Sequence, residues 1–85
     1  MIRSRATPRF WDLLEKLPSS VQTRARKQFA LFAEDPSHPS LHLKPVGGFW
    51  SVRISDSYRA LAVKKGEIFT WFWIATHDEY ERTVE

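Results

Sequence analysis

Apolar residues near the start of the chain recur at the spacing of an α-helix. The helix is predicted to begin at Thr7-Pro8, because a threonine side chain caps a helix N-terminus and proline fits the first helical turn. Pro18 ends the pattern, since the residue before a proline is disfavoured in helical conformation. The apolar positions between these limits are Phe10, Leu13, Leu14 and Leu17.

A second amphipathic pattern follows immediately. It starts at Ser19-Ser20 and stops at Asp35-Pro36. One apolar stripe is predicted along this helix, formed by Val21, Ala25, Phe29 and Phe32. Three polar residues are expected to lie off the stripe: Arg24, Lys27 and Gln28. Two consecutive amphipathic helices joined at Pro18 predict an antiparallel helical hairpin.

The second half of the chain changes to strand patterns after a loop predicted over residues 35–48, which is rich in proline and glycine. The strands are recognised by apolar residues at a period of two, or by a continuous β-branched and aromatic run. With one further strand before the first helix, the predicted strands are Ile2 to Ala6 at an edge, Trp50 to Ser55, Tyr58 to Lys64, and Ile68 to Ala75.

This order of elements predicts an α+β fold. The helical hairpin packs on one face of a mostly antiparallel sheet of about four strands, and a short helical tail begins near His77. A chain of 85 residues is below the size at which chains divide. We therefore expect a single domain over residues 1–85.

The composition excludes disulfide bonds and gives no sign of a membrane-spanning segment. Cysteine is absent, so the core depends on large side chains, of which four Trp and six Phe are available. No apolar run follows Met1, and the longest apolar stretch, Ile68 to Ala75, is too short to cross a bilayer. We expect a soluble cytoplasmic protein without a membrane partner.

The charge distribution favours a polyanionic or acidic partner. The formal net charge is +3, but four of the ten acidic residues lie in the last eight positions. The first 77 residues carry twelve basic and six acidic side chains. Such an excess suits nucleic acid and an acidic protein equally well.

Five segments carry a family resemblance. They are the second helix from Leu17-Pro18 to Phe32, Asp35-Pro-Ser-His-Pro-Ser-Leu-His-Leu-Lys44, Trp50-Ser-Val-Arg53, Tyr58-Arg59-Ala60 and Trp73-Ile-Ala-Thr-His77-Asp-Glu-Tyr80. Together with the element order, they resemble the RelE/ParE superfamily of bacterial toxins. Features of that family are a Tyr-Arg pair on the third strand, and a His or Arg with a nearby Tyr after the last strand.

The resemblance implies a growth-arresting toxin of a type II toxin-antitoxin system, encoded beside an antitoxin protein that wraps it. The family divides into ribosome-dependent mRNA endoribonucleases and toxins directed at DNA gyrase. RNA cleavage by the 2′-hydroxyl needs a base, an acid and cations around the phosphate, but no metal and no cofactor. The candidate catalytic residues are His77, Arg59, Arg53 and Tyr80.

Each candidate near the last strand has a structural alternative. Histidine is the residue type that ionises nearest neutral pH, so His77 suits either proton-transfer role, or it caps the tail helix. Tyr80 lies one helical turn further on, and either stacks on a base or anchors the tail to the core.

The two arginines are useful only if they share a face of the sheet. A three-residue loop over Asp56-Ser57-Tyr58 would pair Arg53 with Leu61 and place Arg53 and Arg59 on the same face. A two-residue loop would place them on opposite faces. We expect the shared face, because the helix-covered side cannot accommodate an unpaired guanidinium group.

The predicted RNA-binding residues are Lys44, from the loop, and the two strand residues Arg53 and Arg59. Ser51 stands where the best-known ribonuclease members of the family carry a further lysine. The sheet face that carries the two arginines therefore has less positive charge in this protein. His38 and His42 are four residues apart, but Pro39 interrupts them and the pair is not preorganised, so we expect no metal site.

Three hypotheses follow. The first is an mRNA endoribonuclease that inhibits translation, with its antitoxin, mRNA and the ribosome as partners. The second is a ParE-like toxin that binds and poisons DNA gyrase without catalysis. The third is a degenerate member of the family that only binds its antitoxin.

Overall fold

The computed structural model describes residues 2–84 and has the α+β architecture expected from the sequence. Its elements are β1 (Arg3–Ala6), α1 (Pro8–Glu15), α2 (Ser19–Glu34), a 3-10 turn (Pro39–Leu41), β2 (Lys44–Val46), β3 (Phe49–Ser55), β4 (Tyr58–Lys65), β5 (Ile68–Thr76) and α3 (His77–Val84). Within the described residues the strands form one five-stranded sheet in the order β1-β5-β4-β3-β2. β1 pairs with β5 in parallel, and the other neighbours are antiparallel.

The additional strand, β2, lies inside the segment predicted as a loop. It pairs with β3 through a two-residue turn at Gly47-Gly48, with Val46 opposite Phe49. Both glycines have positive φ, 52° and 86°, which the tight turns joining antiparallel strands require and glycine adopts without strain. Pro45 is compatible with the strand because β2 lies at the edge of the sheet.

The helices form and pack largely as predicted. Thr7 Oγ1 accepts a hydrogen bond from the main-chain nitrogen of Phe10 at 3.1 Å, which caps α1. α1 packs on β5 and α2 packs on β3. The core between them is aromatic, since the ring of Phe32 contacts Phe69 and Trp71 edge to face, with centroids 5.1 and 5.3 Å apart.

Gln28 departs from the prediction, because its side chain is buried and only 4% exposed. At 3.6 residues per turn, Gln28 projects about 20° from Val21 and therefore lies on the stripe facing the sheet. Arg24 and Lys27 are exposed, as expected. A polar side chain buried against a sheet needs hydrogen-bond partners, which β3 supplies.

We call the face of the sheet opposite α1 and α2 the distal face. α3 packs against β4 and β5 and covers part of this face. Leu61, Ala75 and Tyr80 are buried, at 1%, 7% and 5% exposure, but are not among the buried residues of the main core beneath the helices. No helix within residues 2–84 is both long enough and apolar enough to cross a membrane.

Candidate functional site

Charged side chains on the distal face are arranged in rows across the strands, because directly paired residues project to the same side of a sheet. One row, which we call the arginine row, consists of Arg53, Arg59 and Ala75. The neighbouring row consists of Lys44, Ser51, Leu61 and Trp73. Adjacent rows on one face are about 7 Å apart, the rise of two strand residues. The three predicted phosphate-binding residues therefore share one face.

The hairpin between β3 and β4 differs from the predicted one. A three-residue loop placed Arg53 opposite Leu61. The turn instead has two residues, Asp56-Ser57, and Arg53 lies directly opposite Arg59. The predicted register was wrong, whereas the predicted shared face of the two arginines is confirmed.

A β-bulge explains how a two-residue turn leaves both arginines on one face. In a regular ladder this turn would pair Arg59 with Ile54 and send Arg53 to the other face. The register shifts between Arg53 and Ser55, so Ile54 is the extra residue. The Ile54 side chain is fully buried in the core beneath the helices.

Side chains of α2 bind the main-chain carbonyls of this bulge. Gln28 Nε2 donates to the carbonyl oxygen of Arg53 at 2.9 Å, and Arg24 Nε donates to that of Ile54 at 3.2 Å. Gln28 and Arg24 are four residues apart and lie on neighbouring turns of the helix. The helical hairpin therefore satisfies carbonyl groups at the irregular part of the ladder, where a lost partner would be costly.

Arg59 is held by the turn that it follows. Its Nη1 donates to the main-chain oxygens of Ser55, of Tyr58 at 3.0 Å and of Asp56 at 3.4 Å. Burial, followed by the neighbouring positive charge of Arg53, lowers the pKa of Arg59. Arginine nevertheless remains protonated in proteins, so the row carries two positive charges.

Arg53 forms an ion pair with Asp56. The side chains are 29% and 90% exposed, respectively. Solvent-exposed pairs of this kind contribute about 0–1 kcal/mol to stability. Asp56 therefore binds the Arg53 guanidinium only weakly, and an anionic ligand can compete with Asp56 for that guanidinium.

His77 lies at the end of β5, beside the β3–β4 turn. Its main-chain nitrogen donates to the Ser57 carbonyl oxygen at 2.7 Å, and its Nε2 lies 3.3 Å from Glu81 Oε1. The imidazole is 37% exposed. It lines an open depression of about 350 Å³ together with Asp56, Ser57, Tyr58, Thr76 and Asp78.

The N-terminus of α3 is capped by Thr76 rather than by His77. Thr76 Oγ1 accepts from the main-chain nitrogen of Glu79 at 3.3 Å and donates to Glu79 Oε1 at 3.0 Å. This reciprocal arrangement resembles the capping box found at helix starts. The His77 side chain is therefore not used for capping.

Tyr80 connects the histidine to the arginine row. Its ring centroid lies 5.9 Å from that of His77, and Tyr80 is close enough to Arg59 to influence its pKa. With 5% exposure, Tyr80 has the burial of a core anchor rather than of a surface stacking residue. Lys44 remains exposed, at the edge of the neighbouring row.

The two histidines of the loop serve local structure. His38 Nδ1 accepts from the main-chain nitrogen of Ser40 at 3.2 Å, and His42 adopts a positive φ of 47°. In residues 2–84 no three His, Asp or Glu side chains are grouped in a way that could hold a metal ion.

Sequence reasoning missed four residues that shape this site: Asp56, Glu81, Gln28 and Arg24. The spacing of four residues between His77 and Glu81 on a predicted helix was the available signal for one of them. For Gln28 the signal was its position seven residues after Val21, which places it on the apolar stripe. Asp56 and Arg24 depend on the turn and on the packing of α2 against β3, which no local pattern shows.

Comparisons with known proteins agree with this fold. The structure superposes on RelE–RelB from Pyrococcus horikoshii with a TM-score of 0.70 and 14% identity over 88% of this chain and 93% of that one. The RelBE2 toxin-antitoxin complex from Mycobacterium tuberculosis superposes with a TM-score of 0.71 and 20% identity, over 89% of this chain and 91% of that one. A YoeB/ParE toxin from Agrobacterium tumefaciens superposes with a TM-score of 0.67 and 16% identity, over 89% of this chain and 99% of that one.

Sequence comparison points to the same family. No curated protein matches the chain. Residues 19–82, however, match the model of the ParE-like toxin domain, which is about three quarters of the sequence. The chain is therefore a member of the ParE-like toxin domain family, and its RelE-like fold confirms the resemblance to the RelE/ParE superfamily.

Proposed function

We propose that this protein is the toxin of a toxin-antitoxin pair and that it arrests growth by cleaving mRNA on the ribosome. Family membership supports the toxin role. The observation that carries the nuclease assignment is the pair Arg53 and Arg59, directly opposite each other on the distal face, with His77 at the adjacent strand end. Guanidinium groups bind phosphate in a bidentate manner, and an imidazole transfers protons near neutral pH.

The proposed reaction is transesterification within the RNA. The 2′-hydroxyl oxygen attacks the adjacent phosphorus, the bond from phosphorus to the 5′-oxygen breaks, and a 2′,3′-cyclic phosphate forms. The proton of the 2′-hydroxyl passes to a base, and the leaving 5′-oxygen receives a proton from an acid. Arg53 and Arg59 stabilise the negative charge on the pentacovalent phosphorus centre.

His77 is proposed to act as the acid or the base, a role that contributes about 10²–10⁴-fold in rate. Because Nε2 faces Glu81, Nδ1 is the nitrogen available to the RNA. Tyr80 orients the imidazole, and its proximity to Arg59 raises the pKa of that side chain, which opposes the larger effect of burial. Lys44 binds a phosphate further along the strand. No metal or other cofactor is required by this scheme.

The experiment is induction of the chain in bacteria, followed by primer extension or RNA sequencing. We expect cleaved transcripts from the wild type and intact transcripts from His77→Ala and Arg59→Ala. Lys27→Ala, an exposed substitution on α2, serves as the control and should cleave like the wild type. Intact transcripts from a folded, expressed wild-type chain would exclude the nuclease function.

Gyrase poisoning is the alternative, and the description of the matching family as ParE-like favours it. This function predicts inhibition of DNA supercoiling and a DNA-damage response, with little effect of His77→Ala. A chain that only binds an antitoxin would be harmless when expressed alone. A growth assay without antitoxin distinguishes that third possibility from both toxin functions.

A cognate antitoxin is the expected protein partner, since several solved structures with this fold are toxin-antitoxin complexes. We propose that the pair acts in the bacterial cytoplasm, where mRNA, ribosomes and gyrase are found. The test is coexpression with the product of the adjacent reading frame, which should restore growth and copurify with the chain.

A further inference from the structure

Two phenylalanines form an aromatic pair on the distal face, away from the arginine row. The rings of Phe49 and Phe72 lie 5.2 Å apart, centroid to centroid, with their planes inclined at 58°. Phe49 is two residues before Ser51 on β3, so the alternation of a strand places it on the distal face. Because Phe72 contacts it, Phe72 reaches the same face from β5.

A second β-bulge lies at Phe72. Ala62 pairs with Trp71 and Leu61 pairs with Trp73, so Phe72 is the extra residue of β5. Bulges redirect side chains and are over-represented next to active sites. Trp71 belongs to the core beneath the helices, so the alternation of β5 places Phe72 on the distal face, and the bulge places Trp73 on that face beside it.

The pair does not serve the main core. Phe49 and Phe72 are only partly buried, and neither belongs to the described core beneath α1 and α2 nor to the residues packed against it. Val63, which also projects to this face, is 42% exposed. We call Phe49, Val63 and Phe72 the aromatic patch. Its exposure is costly in water unless a ligand covers it.

The charge around the patch selects the kind of ligand. No acidic residue occurs in β2, β3, β4 or β5. The basic residues on the distal face of these strands are Lys44, Arg53, Arg59 and Lys65. A surface that places partly exposed aromatic rings beside cations matches single-stranded nucleic acid, whose bases stack while its phosphates pair with the cations.

We propose that the aromatic patch is a base-stacking subsite for single-stranded RNA whose phosphates run along Lys44 and the arginine row. This inference rests on the proposed function for the identity of the RNA as a substrate. Phe49 is four residues from Arg53 along β3, a distance of about 13 Å in a strand. The stacked base therefore belongs to a nucleotide away from the cleaved bond, and the patch contributes to the choice of sequence.

The test measures binding of short RNA by fluorescence anisotropy at several salt concentrations. The RNA carries a 2′-deoxy sugar at the cleaved position and is compared with an oligonucleotide of equal charge whose bases are removed. Phe49→Leu and Phe72→Leu keep apolar bulk but remove the rings, whereas Phe72→Tyr retains the ring. Trp11→Leu removes an exposed aromatic residue from α1, on the other side of the sheet, and is the control.

We expect each leucine variant to bind normal RNA roughly tenfold more weakly, as is typical for loss of one stacked base. Binding of the base-free oligonucleotide and the salt dependence should stay at the wild-type level, because no cation is lost. Phe72→Tyr and Trp11→Leu should bind normal RNA like the wild type.

Wild-type affinity of both leucine variants for normal RNA would overturn the stacking subsite, even if the wild type cleaves transcripts. The same holds if these variants retain RNA binding but can no longer be neutralised by the antitoxin, since the patch would then be a protein interface. If the wild-type chain neither binds RNA nor cleaves it, the subsite and the proposed function fail together.

Discussion

The side-chain amide of Gln28 donates a hydrogen bond of 2.9 Å to the main-chain carbonyl oxygen of Arg53. This contact joins α2 to the bulge that turns Arg53 towards Arg59. The same amide lies 3.4 Å from the carbonyl oxygen of Ser40, at the 3-10 turn. A buried residue of the helical hairpin therefore supports the geometry of a pair of cations on the opposite face of the sheet.

Replacement of Gln28 by leucine should damage both stability and activity. Leucine fills much of the same volume but leaves the Arg53 carbonyl without its partner, which costs about 1–3 kcal/mol. We expect this loss in the free energy of unfolding, measured by chemical denaturation. Cleavage should fall by about 10- to 100-fold, as expected for displacement of a positioning group by an ångström or less. Lys27→Leu, on the exposed face of α2, should change neither the free energy of unfolding nor the rate of cleavage. If the two variants behave alike, Gln28 does not support the geometry of Arg53.

Arg59 and Arg53 should differ in their effect on stability. Arg59→Ala removes a charged donor from the main-chain oxygens of the β3–β4 turn, and we expect a loss of about 1–3 kcal/mol. Arg53→Ala removes only the exposed ion pair with Asp56 and should cost less than about 1 kcal/mol. Thermal or chemical unfolding of both variants checks the difference. A larger loss for Arg53→Ala would show that the hydrogen bonds of Arg59 are weak in solution.

Asp56→Asn should strengthen RNA binding. The substitution frees Arg53 from its carboxylate partner and removes one negative charge beside the proposed phosphate path. We expect affinity for a short, non-cleavable RNA at low salt to rise several-fold, within the range of about 1 kcal/mol that exposed ion pairs contribute. Asp78→Asn removes the same charge from the rim of the depression without freeing Arg53 and should have a smaller effect. Equal gains would indicate a general charge effect rather than competition for Arg53.

Tyr80 should act through its ring and its burial rather than through its hydroxyl group. Tyr80→Phe keeps the ring beside His77, so cleavage should stay within a few-fold of the wild type. Tyr80→Ala removes a buried aromatic side chain, which costs about 3–5 kcal/mol in well-packed sites. That variant should release α3 and lose activity. Loss of cleavage in Tyr80→Phe with unchanged thermal stability would instead assign the hydroxyl group a chemical role.

Several features of this protein follow from local sequence alone. Thr7-Pro8 starts α1, Pro18 separates the helices, and alternating or continuous apolar runs mark β3, β4 and β5. These patterns are readable because each depends on residues within one turn of helix or one strand. Lys44, Arg53, Arg59, His77 and Tyr80 could be selected as candidates for the same reason, from short motifs and their order.

The structure decided how these candidates are arranged. Gly47-Gly48 forms the turn that makes a strand of residues 44–46, and the bulge at Ile54 replaces the longer loop that the sequence suggested. A bulge leaves carbonyl groups to be satisfied by partners from elsewhere, and here these partners lie 25 and 30 residues away in the chain, at Gln28 and Arg24.

The amino-acid sequence by itself determined which side chains carry charge and which segments are helix or strand, because those properties are local. Only the tertiary structure decided that Arg53 lies opposite Arg59, and that Phe72 reaches Phe49. The pairing of the two arginines depends on a one-residue shift in strand register, which reverses the face of every side chain beyond it. Such a shift is stabilised by packing between distant segments, and no short stretch of sequence contains that information.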